Sequence, residues 1–273
     1  MQTRTTLPDL ERLSIVTATI MLAFALTQLV SFPVQNFSFL LFGILIDLII
    51  DFTTVVIVFT VFLSATGMDW IIHSHPEKER YQNRWAYIRH WIVPVLTSFV
   101  IGVALNAFAG GMVWWAVYAL GSLLLFAVFI AEYNVLIAED YRNALATVGL
   151  TSLSFVLYLL LTIAVFSADI RLYLRAPLLG VGALMVISRA LFLRLGKWYT
   201  LWAVVCSLII TQFVVGLHYL PLSPTRFGLL LVGSAYGLTS IVSGVKESRE
   251  SWAFWGEPIS MITIMLLAII IVG

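Results

Sequence analysis

Two carboxylates four residues apart, Asp47 and Asp51, interrupt the run GILIDLIIDF, which otherwise has the character of a lipid-embedded helix. On a helix that spacing sets both on one face, about 6 Å apart. An ionised aspartate at the centre of a span costs about 2.5–3.5 kcal/mol on insertion scales, so such a face must look into protein or a wet cavity. Two like charges that close in a low dielectric repel, and the pair is expected to share a proton. Proton or cation handling is the chemistry this spacing offers.

Arg189, in APLLGVGALMVISRALFL, is the expected counter-charge. Asp51 would lie about 14 residues and Arg189 about 13 residues into their spans, which sets both near 20 Å from the same membrane edge at the helical rise. The competing account has Arg189 extending to the headgroups beside Arg194 and Lys197. Glu132, in FIAEYNVLIAEDYRN, comes about 21 residues into its span, where a carboxylate marks a wetted helix end or a vestibule. His218, beside Tyr219 and Pro221, reads as an interfacial histidine.

HSHPEKE invites a metal reading through His73, His75, Glu77 and Glu79, with His90 nearby. Spacing of two puts the histidines on different sides of a helix, which opposes a shared ion, and no metal site or cofactor is expected. Lysines occur only at 78, 197 and 246, so none is available in mid-span for a Schiff base. No phosphate-binding glycine loop, nucleophile elbow or H-E-x-x-H helix occurs.

These residues must be positioned by membrane helices. Of the 273 residues, 61% are hydrophobic and 11% charged, far from the soluble average. A net charge of +1 argues against nucleic acid as a partner. The single cysteine, Cys206, offers neither a disulfide nor a cysteine metal site. A span needs about 20 apolar residues. Cutting the chain at polar and Gly/Pro breaks gives nine candidates, at about 13–31, 37–66, 91–108, 111–137, 144–167, 176–193, 198–220, 227–245 and 252–273. The fold expected is therefore an all-α, polytopic membrane bundle of eight or nine spans forming a single transmembrane domain over 1–273. Its one sizeable loop carries a capping box, Ser74 to Glu77, and an apolar helical face at Tyr81, Trp85, Ile88 and Ile92. That pattern predicts a cytoplasmic amphipathic helix at about 74–90.

Twelve of the fifteen Lys and Arg residues fall on one side of this topology, against Arg171, Arg175 and Arg226 on the other. Basic residues are retained in the cytoplasm, so the N-terminus is expected inside a cytoplasmic membrane. Three functions are compatible: an ion-handling or transporter-like protein using Asp47, Asp51, Arg189 and Glu132; a non-catalytic subunit or scaffold; and an intramembrane enzyme acting on a lipid or isoprenoid. Membrane lipids and other membrane subunits are the expected partners. The topology has a direct check: in a Cys206→Ser background, Ser248→Cys should be shielded from an impermeant thiol reagent in whole cells and Ser223→Cys labelled. The reverse pattern would invert the assignment.

Overall fold

The computed structural model describes residues 9–30, 33–41, 44–73, 88–108, 111–135, 141–168, 170–248 and 251–272. Among them stand nine α-helices: α1 (Leu10–Leu26), α2 (Phe52–Ile72), α3 (Ile92–Ala107), α4 (Gly111–Asn134), α5 (Tyr141–Ser167), α6 (Leu172–Leu195), α7 (Thr200–His218), α8 (Pro224–Glu247) and α9 (Ser251–Val272). Eight helical segments, all but α1, are long and apolar enough to cross a membrane. α1 has 17 residues, about 26 Å at the helical rise against about 30 Å of hydrocarbon. The fold is an all-α polytopic helical bundle of integral-membrane type, and each expected span corresponds to one of these helices.

The second span is the exception in its boundaries. Expected at 37–66, it begins at Phe52 and is preceded by an antiparallel hairpin, β1 (Gln35–Leu41) and β2 (Ile44–Ile50), with Ser38 opposite Asp47 in the register. Isoleucine-rich ILIDLII and the alternating NFSF favour a pleated ribbon. An open two-stranded ribbon leaves its outer backbone groups without ladder partners, which bare hydrocarbon does not tolerate. Asp51 then opens α2 as its N-cap, accepting from Thr54 N at 2.7 Å and Thr54 Oγ1 at 2.6 Å. This corrects the expectation of a mid-span helical carboxylate pair: Asp47 lies in a strand and Asp51 at a helix start. The depth match between Asp51 and Arg189 falls with it.

The chain forms two compact units, Met1–Ala138 and Glu139–Gly273. In the first, α1 packs on α2 and α4, and α3 packs on both α2 and α4. Leu13, Ile20, Phe24, Met68, Leu125 and Phe129 form its centre. Ser64 of α2 and Ser98 of α3 share a buried hydroxyl hydrogen bond, and Gly102 of α3 admits Ile57, whose Cγ1 would lie 2.7 Å from a Cβ placed there. Close approach at small residues is how helices associate where lipid and side chains are equally apolar.

In the second unit α6 packs on α5, α7 and α8, while α8 also takes α5, α7 and α9. Gly228 of α8 lies where an added Cβ would come within 2.9 Å of both Leu159 Cδ1 and Thr162 Oγ1 of α5. α6 ends at Gly196, whose left-handed φ of 67° closes the helix with an N–H donated to Phe192 O. The amphipathic helix expected at about 74–90 lies, through residue 87, outside the described residues, and Ile88–His90 form a 3-10 turn.

The cap at Asp51 and the proton-carrier reading separate experimentally. In reversible unfolding from detergent micelles, Asp51→Ala should lose about 1 kcal/mol and Asp51→Asn a few tenths, since asparagine caps as well as aspartate. An equal loss in both would show that the charge, rather than the cap, is what α2 needs.

Candidate functional site

A deeply buried polar constellation of the first unit joins the 3-10 turn before α3 to the end of α4. His90 and Glu132 are both buried, at 1% and 0% exposure, and His90 Nδ1 lies 2.8 Å from Glu132 Oε2. Arg89 Nε donates to His90 Nε2 at 3.0 Å. Guanidinium nitrogens can only donate, so Nε2 must be an acceptor and the ring proton must sit on Nδ1, directed at Glu132. The order is cation, neutral imidazole, carboxylate. Chemically this is a short relay: the imidazole can pass its Nδ1 proton to Glu132 only if it takes another at Nε2, which requires Arg89 to withdraw.

Local sequence explains the placement. The turn at Ile88–His90 brings His90 inward, and Glu132 ends a helix face with Leu125, Val128 and Phe129, all buried. Expected at a wetted helix end, Glu132 is instead excluded from solvent because the turn before α3 covers it with an imidazole.

Two further charged centres lie in the second unit. Arg175, in the first turns of α6, is 3% exposed. Its Nη1 donates to His218 Nδ1 at 2.8 Å, and its Cζ stands 4.7 Å from the centre of the Phe166 ring. Arg194, in the last turn of α6, reaches Glu257 Oε1 of α9 at 2.8 Å and Tyr236 Oη of α8 at 2.8 Å. Tyr236 in turn donates to Glu257 Oε1 at 2.6 Å. Donors and acceptors there answer one another across three helices.

Of the four residues expected to act together, the structure keeps each within a single unit's architecture. Asp47 is in β2, Asp51 caps α2, Glu132 meets His90, and Arg189 is fully buried in α6 with its Cζ 5.7 Å from the Phe192 ring centre. Burial at that level excludes the headgroup-seeking account of Arg189. The pairing of His90 with Glu132, the seat of Arg175 and the Tyr236–Glu257 contact all escaped sequence reasoning. Only the first left a trace there, as a histidine next to a span start and a carboxylate near the end of the span after it.

Among the described residues no group of three metal-ligating side chains occurs, and residues 74–79 of the HSHPEKE run lie outside them. Two grooves are apolar. One, about 280 Å³, lies between α7, α8 and α9 and includes Phe213, Leu230, Ser234, Gly237, Ile262 and Met265. The other, about 210 Å³, lies between α1 and α2.

Residues 32–272 match the family described as "Protein of unknown function (DUF5656)". The chain belongs to that family. No curated protein and no solved structure matches it. For this DUF5656 member, then, the chemistry must be read from the site itself.

The tautomer is directly measurable. In ¹⁵N spectra of histidine-labelled protein, His90 should show a protonated Nδ1 and an unprotonated Nε2, and Arg89→Gln should shift the Nε2 signal. Glu132→Ala should cost about 2 kcal/mol in unfolding free energy by stranding the imidazole donor. A protonated Nε2 in the wild type would contradict the Arg89 contact.

Proposed function

We propose that this is a non-catalytic multi-pass membrane subunit, a scaffold whose intramembrane charges tie its own helices together. The observation that carries the reading is how those charges are spent. His90 is committed to Glu132, Arg175 to His218, and Arg194 to Glu257 and Tyr236, each contact joining separate elements. A transporter needs a wet route to a mid-depth acceptor, and both grooves described above are apolar. An intramembrane enzyme needs polar groups aimed at an opening, whereas Arg194, Tyr236 and Glu257 are aimed at one another.

Apolar faces supply what a scaffold would present to other membrane subunits. α9 exposes Ile259, Ile262, Leu267, Ile270 and Ile271, and α4 exposes Met112, Trp115, Leu120 and Leu123. A cytoplasmic membrane with the N-terminus inside fits this reading. Setting aside Arg175 and Arg189, which are buried in α6, leaves eleven basic residues on one side and two on the other.

A second reading has its own observation, the neutral imidazole held between Arg89 and Glu132. In it, the His90–Glu132 pair handles protons, taking the role first given to Asp47 and Asp51. One experiment separates the two. Proteoliposomes holding a pH dye and a valinomycin-imposed potential should leak protons no faster than empty vesicles, with Glu132→Gln indistinguishable from wild type. A flux abolished by both Glu132→Gln and His90→Gln would replace the scaffold with the proton-handling reading. In parallel, native gels of gently solubilised membranes should show the chain in one complex of defined size, and migration as a lone monomer would refute the scaffold.

A further inference from the structure

The groove between α1 and α2 differs from the one in the second unit in what stands at its end. Its walls are one face of each helix: Ile15, Val16 and Thr19 from α1, and Leu63, Thr66 and Trp70 from α2. Both hydroxyls are consumed inside their own helices, Thr19 Oγ1 donating to Ile15 O at 2.7 Å and Thr66 Oγ1 to Phe62 O at 3.0 Å. The walls therefore ask for hydrocarbon. Gly67 lets the helices touch at the floor, where an added Cβ would collide with Val16.

Arg12 lies one turn before Ile15 and Val16, on the same face of α1. Its Nη1 donates to Trp70 O at 3.2 Å, and its Cζ stands 5.3 Å from the Trp70 ring centre, so the guanidinium is held over the residue that ends the groove. Asp9 stands beside it, Oδ2 at 3.4 Å from Arg12 Nε, with side chains 45% and 33% exposed. A pair that long and that open is weak and can exchange for other partners. Glu11 adds a second carboxylate on α1, while Asp69, next to Trp70, is engaged by His73 at 3.5 Å. Among the described residues one arginine stands among carboxylates here, which does not match a purely anionic headgroup. It matches a headgroup carrying both signs, with the positive end able to donate hydrogen bonds.

We propose that this groove binds a phosphatidylethanolamine molecule, one acyl chain lying between α1 and α2, the phosphate on Arg12 and the primary ammonium on Asp9. A primary ammonium offers three donors to the carboxylate, which the quaternary amine of phosphatidylcholine lacks. Phosphatidylglycerol would satisfy Arg12 and offer Asp9 only neutral hydroxyl donors, without the opposite charge. The site is independent of the scaffold reading and survives its failure.

The test uses the full chain in mixed micelles with equal amounts of phosphatidylethanolamine, phosphatidylcholine and phosphatidylglycerol of identical acyl chains, followed by native mass spectrometry of retained lipid. Wild type should retain phosphatidylethanolamine over the other two by about fivefold, the upper range for one half-exposed ion pair. Asp9 also caps α1, its Oδ1 accepting from Glu11 N at 3.1 Å; Asp9→Asn, which keeps a capping oxygen there, should abolish the preference over phosphatidylcholine. Arg12→Gln should lower retention of all three, and Thr19→Trp, by filling the groove, should remove the lipid. Ser234→Trp in the other groove is the control and should leave the pattern unchanged. Equal retention of the three lipids, a preference for phosphatidylglycerol, or a wild-type pattern in Asp9→Asn would overturn the proposal. So would a dimer that Thr19→Trp dissociates, which would make the occupant a second copy of the chain. Circular dichroism and melting of each variant confirm that folded protein is being compared.

Discussion

A charge placed within hydrocarbon has no water to answer it, and its partner must be supplied by the protein. That constraint organises both units of this chain. In the first, the carboxylate of Glu132 is answered by the imidazole of His90, and this contact fixes the turn before α3 against the end of α4. In the second, Arg175 is answered by His218 and the Phe166 ring, and Arg194 by Glu257 and Tyr236. Apolar surface cannot choose one helix register over another when lipid solvates it equally well, so directional contacts and small-residue approaches must do the choosing. Ser64 with Ser98, Gly102 with Ile57 and Gly228 with α5 supply the small-residue half of that specification.

Removing one member of such a pair leaves the other stranded, which costs more than the pair contributes when whole. Buried charge is therefore poor evidence for stability and ambiguous evidence for chemistry. The ambiguity resolves by following each donor and acceptor to its end. Tyr236 illustrates this: its hydroxyl receives from Arg194 and gives to Glu257, so both of its polar functions are answered within the protein. His90 is the more open case: the neutral ring holds both Glu132 and Arg89, and a second proton at Nε2 would keep Glu132 and release Arg89.

Most of the helical layout was legible because about twenty apolar residues between polar breaks is a length dictated by the bilayer and needs no tertiary information. A single span over 37–66 would be about 45 Å long at the helical rise, more than the hydrocarbon core, and the helix begins instead at Phe52. Two local signals for a later start were present: the isoleucine-rich strand pattern, and Asp51 three residues before Thr54, the geometry of a capped helix start. The pairs were not legible. His90 and Glu132 are 42 residues apart, and Arg175 and His218 are 43 apart, separations that no helical period encodes. Arg189 was found as an intramembrane cation by its position in APLLGVGALMVISRALFL, while its burial against Phe192 depends on packing around α6.

The tether of α9 bears on how the chain is made. Among the described helices α9 packs chiefly on α8, and its Glu257 reaches past that neighbour to Arg194 of α6. Synthesis runs from the N-terminus, so the guanidinium is made before the carboxylate that it holds. His90 likewise precedes Glu132. In both latches the basic member precedes the acid along the chain, so each acid meets a partner that has already been made.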